Sequence, residues 1–378
     1  MVELLMSVIL AFGITFYAIP AIIHAAHEKK LFDYPDERKL HRQPVPSLGG
    51  IGIFSGLITA FLLTANFAEM AIRYQYLLAA TLVIFFVGLK DDLLNISPFK
   101  KFLGQVLAAS IICFKGGLLI TSMYGFLGIY ELPDMAAYLI TIFTIVVIIN
   151  AYNLIDGVDG LAAGLAIISS LFFAVYFAVN DFMAYACLAT SLLGALLAFL
   201  IFNAQPARIF MGDTGSMMLG LLHAMMAIQF MNTAATAPVL TIAAAPAVVF
   251  AIMFVPLFDT LRVFSFRMLR GTSPFTPDRN HIHHLLLRFR LSHTWVAIGL
   301  CSVGLFLPII VWFLSSLGTS WLLVSMVGFG FAAVGVLVWQ YEVFAKRNVV
   351  SVGLAPSKKP ATPLRTIASV ERKAINQN

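Results

Sequence analysis

Apolar positions in this chain do not alternate with polar ones; they run on. Asp, Glu, Lys and Arg are absent from 4–27, 43–68, 74–89, 135–155, 161–180, 182–207, 214–258 and 291–341. A membrane-crossing helix needs about 20 apolar residues, so each of the last two runs is long enough for two. Polar or turn-forming residues at 232–238 and 315–320 supply the breaks that split them. The stretch 102–130, interrupted only by Lys115, adds another. The pattern predicts an all-α polytopic membrane protein of about eleven helices. Nothing in it has the period-two alternation of a membrane β-barrel.

Composition agrees. The chain is 60% hydrophobic and 11% charged over 378 residues, with 33 Phe, too little polar surface to cover a water-exposed domain. A cytosolic enzyme, a secreted disulfide scaffold and a disordered chain are thereby excluded. The first apolar segment carries Glu3 and is followed by Lys29 and Lys30, so it reads as a retained span and not as a cleaved signal. Cys113, Cys187 and Cys301 lie scattered in apolar runs and read as packing residues. The expected organisation is a membrane domain over 1–345 with cytoplasmic loops at 24–47, 89–100, 153–160, 204–214 and 259–294. A basic, disordered cytoplasmic tail follows over 346–378.

Charge sets the orientation. Threading the helices in order puts all but Arg73 and Lys115 of the 24 Lys and Arg on one side. The positive-inside rule makes that side cytoplasmic, with the N-terminus outside and the C-terminus inside. This loop bias also accounts for the pI near 9.2, so no nucleic-acid partner is needed.

The acids cluster on the same side. Asp91, Asp92, Asp156, Asp159, Asp213, Asp259 and Asp278 all fall at cytoplasmic helix ends or loops, which points to an inward-facing site. Asp91 and Asp92 follow the third apolar run, and two adjacent carboxylates need a cation or base to balance them in a poor dielectric. Asn150, Asn153, Asp156 and Asp159 recur every third residue, a spacing that would share one helix face. Four oxygen-bearing side chains exceed what helix capping requires and suit Mg²⁺ or sugar hydroxyls. Asp213, between Gly212 and Gly215, is expected at the start of a helix, either as its cap or as a metal ligand open to a diphosphate.

Cations come from the longest loop, which holds Arg279, His281, His283 and His284. Their spacing, with no Cys nearby, does not match structural zinc. It suits phosphate or pyrophosphate contact through charge-assisted hydrogen bonds. The first loop mixes both signs and reads as an interfacial, headgroup-facing segment.

These motifs stand in a familiar order. The Asp-Asp pair, Asn-Ala-Tyr-Asn-Leu-Ile-Asp-Gly-Val-Asp-Gly, Phe-Met-Gly-Asp-Thr-Gly-Ser and the His-Ile-His-His loop resemble the polyprenyl-phosphate N-acetylhexosamine-1-phosphate transferases. The match spans roughly residues 1–340, and the histidine loop is similar to the undecaprenyl-phosphate GlcNAc-1-phosphate branch that starts O-antigen and related cell-envelope glycans. One departure is Asn95, where that family often has a further acid.

The resemblance implies a glycosyl-1-phosphate transferase of the bacterial inner membrane with a cytoplasmic active site. UDP-GlcNAc and undecaprenyl phosphate would give undecaprenyl-diphospho-GlcNAc and UMP, with Mg²⁺ or Mn²⁺ as cofactor. It further implies catalytic roles for Asp91 and Asp92 and metal ligation by Asp213 and Asn153. Asp156, Asp159, Asn150, Arg279, His281, His283 and His284 would bind substrate. Membrane lipids are the other partners; the amino sugar, the glycan pathway and a homodimer stay open. The rival class is a cation-coupled transporter, which would place ionisable groups at mid-membrane and show repeated halves. The nearly charge-free spans and the absence of such a repeat speak against it.

Overall fold

A computed structural model describes residues 1–31, 45–65, 73–271 and 281–352. Arg279 and Asp278 of the histidine loop, most of the first loop and the tail beyond Val352 lie outside the described residues. The described chain is built from α1 (Val2–Lys29), α2 (Gly49–Thr64), α3 (Arg73–Leu94), α4 (Pro98–Ser110), α5 (Asp134–Ile155), α6 (Leu161–Val179) and α7 (Met183–Asn203). There follow α8 (Gly212–Ala234), α9 (Ala245–Ile252), α10 (Phe254–Leu269), α11 (Ile282–Arg288), α12 (His293–Phe313) and α13 (Thr319–Val352). Seven of these are long and apolar enough to cross a membrane, or eight if the bent pair α9–α10 is one span. The protein is a mostly helical, multi-pass membrane protein.

Around α8 the others assemble. It packs on α2, α3, α5, α6 and α9, and nearly all of its residues are buried, while α1, α12 and α13 keep much of their surface outside the protein. The compact unit comprises Met1–Val334; Gly335–Asn378 forms a second, small unit, and α13 runs helical to Val352, past the 345/346 boundary expected from the sequence.

Three local expectations need correction. The stretch 102–130 is not one helix: α4 passes through a π turn (Ile111–Lys115) and gives way to an antiparallel hairpin, β1 (Ser122–Phe126) and β2 (Ile129–Glu131). Leu127 and Gly128, both at positive φ, form the two-residue hairpin turn, so the chain is not purely α. The second half of 214–258 is likewise no straight span. It bends by 88° between α9 and α10. Pro256 has no N–H for the Ile252 carbonyl four residues back, and the Ser169 hydroxyl on α6 donates to that carbonyl instead, at 3.2 Å. Third, α5 ends at Ile155, so only Asn150 and Asn153 share its face; Asp156 and Asp159 lie in the turn beyond.

Two sets of polar contacts tie the loops at opposite helix ends. At one, residues 46–50 pair with Phe210 and Met211 through backbone hydrogen bonds beside the ends of α3, α5 and α8. At the other, the hairpin is tied by Tyr124 to the Met231 carbonyl, by Ser320 to Leu127 N, and by Thr319 to the Tyr124 carbonyl.

Candidate active site

The start of α8 has no cap of its own, and Asp92 on α3 supplies one. Its carboxylate accepts from the backbone N–H of Asp213 (2.7 Å) and of Thr214 (2.9 Å) and from the Thr214 hydroxyl. An anion at a helix N-terminus also meets the favourable end of the helix dipole. The approach is possible because Gly88 has no side chain: a Cβ there would stand 2.5 Å from Thr214 Cα. Gly212 completes the turn at φ 72°, where a Cβ would lie 2.7 Å from the Asp92 carboxylate. Asp213 is therefore not the cap; it sits in the first turn of α8 with its side chain free for other work.

That side chain meets Lys101 and Asn153. Lys101, on α4, bridges Asp213 and Asp91, its ammonium 2.7 Å from Asp91. Asn153 Nδ2 donates to Asp213 at 2.7 Å and to Ser216 Oγ at 2.9 Å. Nothing among the described residues donates to the Asn153 side-chain carbonyl oxygen. Asp91 also accepts from Ile96 N at 2.7 Å, across the sharp end of α3 where Asn95 takes a left-handed conformation (φ 48°). Asn tolerates that conformation better than most residues, a local reason for its presence.

Burial raises three of the carboxyl pKa values here, whereas Asp213, against the effect of its own burial, is held below the ordinary range by its contacts with Asp91, Lys101 and Asn153. Asp91 is pushed up to about 6, by desolvation and then by Asp213, with Lys101 opposing. Asp92 reaches about 7, again mainly by desolvation, against the hydrogen bonds from Thr214. Asp156 also reaches about 7, by desolvation and the like charges of Asp213, Asp92 and Asp159. Four carboxyl groups thus share this neighbourhood with one ammonium, which contacts only Asp91 and Asp213, and the cluster is short of positive charge. Among the described residues, no three of His, Cys, Asp and Glu converge as a ready-made metal cage.

The other expected residues sit around this cluster in different ways. Asn150 exchanges amide hydrogen bonds with the buried Gln105 of α4, donating at 2.8 Å, so it braces α4 against α5. Asp159 accepts from Ala207 N at 3.3 Å and lies 3.4 Å from His293 Nδ1, tying the turn after α5 to the α7–α8 loop and to α12. His281 donates to Asp259. His283 packs on Gly157, next to Asp156, where a Cβ would come within 2.8 Å of its Nε2. Burial, then the neighbouring His284, lowers the His283 pKa to about 3, so its ring is neutral. His284 lies against His283 with ring centroids 4.4 Å apart.

Lys101 and Gln105 were not anticipated as site residues. Lys101 reads in the sequence as one of several loop cations; Pro98, at the first position of α4, starts the helix early enough to turn it inward.

Partly buried carboxyl groups gathered near a lysine at helix ends have the chemistry that phosphoryl transfer can use. The chain belongs to the glycosyl transferase family 4, sugar-phosphate transferases that use polyprenyl phosphate, whose family model matches residues 74–231. Among individual relatives, it is 33% identical over 308 residues to decaprenyl-phosphate N-acetylglucosaminephosphotransferase of Mycobacterium leprae, covering 75% of this chain and 77% of that one. It is 32% identical over 325 residues to a probable undecaprenyl-phosphate N-acetylglucosaminyl 1-phosphate transferase of Bacillus subtilis, covering 85% and 88%. Undecaprenyl-phosphate alpha-N-acetylglucosaminyl 1-phosphate transferase of Yersinia pestis is 28% identical over 327 residues, with 84% and 87% covered. The protein is thus a sugar-phosphate transferase that uses polyprenyl phosphate.

Proposed function

We propose that this enzyme transfers GlcNAc-1-phosphate from UDP-GlcNAc to undecaprenyl phosphate, yielding undecaprenyl-diphospho-GlcNAc and UMP. The observation that carries the reading is the Asp91–Lys101–Asp213–Asn153 constellation. An oxygen of the lipid phosphate attacks the sugar-bearing phosphorus, the bond between the two phosphates of the donor breaks, and UMP leaves. Asp91 is the group that takes any remaining proton from the acceptor phosphate, because Asp92 is committed to α8. Lys101 offsets charge on the transferred phosphoryl oxygens. Asp156 and the His283 ring beside it border the sugar-nucleotide side.

The surplus of carboxylate over ammonium and the open Asn153 carbonyl oxygen fit a hard divalent cation, Mg²⁺ or Mn²⁺, held by Asp213 and Asn153. Mg²⁺ characteristically takes one or two carboxylates plus substrate phosphates, so a three-acid cage is not required. When bound it supplies positive charge to the donor diphosphate.

We further read eleven crossings: α1, α2, α3, α4 with its π turn, α5, α6, α7, α8, α9 with α10, α12 and α13. The cation bias supports an N-terminus outside and a C-terminus and active site in the cytoplasm, and the bacterial relatives support a bacterial inner membrane, where the enzyme would start O-antigen or related glycan synthesis.

The test is transfer of label from UDP-[14C]GlcNAc into a lipid extract by the purified enzyme with undecaprenyl phosphate and Mg²⁺, with UMP measured alongside. Asp213→Asn should abolish transfer at unchanged protein level. Better use of UDP-GalNAc or UDP-MurNAc-pentapeptide than of UDP-GlcNAc would overturn the donor assignment.

A further inference from the structure

Asp259 belongs to none of the motifs above, yet it is 2% exposed and carries three contacts. One carboxylate oxygen accepts from Arg262 (3.0 Å) and from the backbone N–H of Ile282 (2.9 Å). The other accepts from His281 Nδ1 at 2.9 Å. An ionised carboxylate can only accept, so His281 Nδ1 must carry a proton toward Asp259, and Nε2 is the ring nitrogen left for another partner. The His281 ring lies nearly parallel to that of His283, 7° apart with centroids at 5.6 Å. His283, 1% exposed, in turn presses on Gly157 at the Asp156 turn, and its Nδ1 has no hydrogen-bond partner among the described residues. Asp259 itself is held from behind. The adjacent Phe258 fills the space left by Gly330, where a Cβ would stand 2.6 Å from its ring, and meets Phe331 edge-on at 5.3 Å.

We propose that Asp259, backed by Arg262, is a positioning residue for phosphosugar transfer: it fixes the tautomer and aim of His281 and thereby seats the histidine segment against the Asp156 turn. Fixing a histidine through its far nitrogen is how an outer carboxylate sets the orientation of a working imidazole. The inference rests on the transferase reading above for the identity of the donor. It assigns to the break between α9 and α10 a purpose, because only a helix restarting at Phe254 brings Asp259 under His281.

The experiment is a double-mutant cycle on the full-length enzyme in detergent, with Asp259→Asn, His281→Ala and the pair, reading kcat and donor KM and, for slow variants, UDP-GlcNAc binding by calorimetry. Each single variant should raise the donor KM about tenfold, the loss of one charge-assisted contact. Acceptor KM should hold, and the double variant should be no worse than either single one. Asp259→Glu should recover part of the loss. Multiplying losses, or a lowered Tm with fallen kcat and unchanged donor KM, would overturn the proposal and leave Asp259 a folding residue. If the wild type turns over another UDP-sugar instead, the donor assignment fails alone, and the same cycle on that sugar decides Asp259.

Discussion

Removing Lys101 tests the site most directly. Lys101→Met keeps the length and the apolar stem but deletes the ammonium that lies between Asp91 and Asp213. A hydrogen bond to a charged group is worth about 1.5–3 kcal/mol, and Lys101 makes two. If Lys101 makes two bonds of that kind to the transferred phosphoryl oxygens in the transition state, then, reduced for its partial exposure, about 3 kcal/mol of stabilisation is at stake. That corresponds to about a hundredfold in kcat/KM. The same deletion removes the cation that competes for the Asp213 carboxylate, so the Mg²⁺ concentration giving half-maximal rate should fall while the maximal rate drops. The assay is label transfer against Mg²⁺ at saturating donor and acceptor, followed by donor titration. Turnover within threefold of wild type would refute the role in charge neutralisation. A raised Mg²⁺ requirement would refute the idea that Lys101 and the cation share the Asp213 carboxylate.

Asp92→Asn should lower stability by about 1 kcal/mol, the usual worth of a helix cap, because one of its oxygens becomes an NH₂ facing the N–H groups of α8; thermal unfolding in detergent measures it, and an unchanged Tm would count against the cap. Gly212→Ala should be more damaging, adding a Cβ against the Asp92 carboxylate at a positive φ; wild-type stability and transfer would show that the turn relaxes at no cost. Stability of the metal-free enzyme should depend on pH through Asp91, Asp92 and Asp156. Their folded pKa values of about 6, 7 and 7 lie above the ordinary 3.8, so the folded state binds the extra protons. Their contribution is full below pH 3.8 and is lost as pH rises through 6–7. Scans with EDTA should therefore give a lower Tm at pH 8 than at pH 5.5, and Mg²⁺ should restore more at pH 8; the opposite slope would sink the argument.

The chemistry of the site was legible in the sequence, its assembly less so. Asp91, Asn153 and Asp213 stand out because carboxylates and amides cluster where apolar runs end, and these three do meet. What spacing did not convey is which of two neighbours faces inward: Asp91 turns to Lys101 while Asp92 is consumed by α8. The three-residue period over 150–159 was misleading, since periodicity means a shared face only while the helix lasts, and α5 stops at Ile155. Pro256 and the glycines at 116, 117, 125 and 128 marked the bend and the hairpin, but continuous apolarity outweighed them. Lys101 was hidden by its company, one cation in a basic loop. The role of Asp259 was hidden because one partner, His281, lies 22 residues further along the chain, beyond the end of α10.

The enclosure of α8 has a consequence for how the protein comes to exist in a bilayer. Of the candidate spans it is the least apolar and the most completely surrounded by protein, and it carries Asp213, His223 and Gln229 along its length. A helix walled off from lipid has no need of lipid-grade apolarity, and the polar groups it gains would be costly on a membrane-facing helix. The same property makes it a poor solitary tenant of the hydrocarbon. The order of synthesis meets this need: α2, α3, α5 and α6, which form most of its wall, all leave the ribosome before α8 does. Its Asp213 turn then finds Asp92 already at the end of α3, so the catalytic constellation comes together only in a chain whose earlier helices have docked.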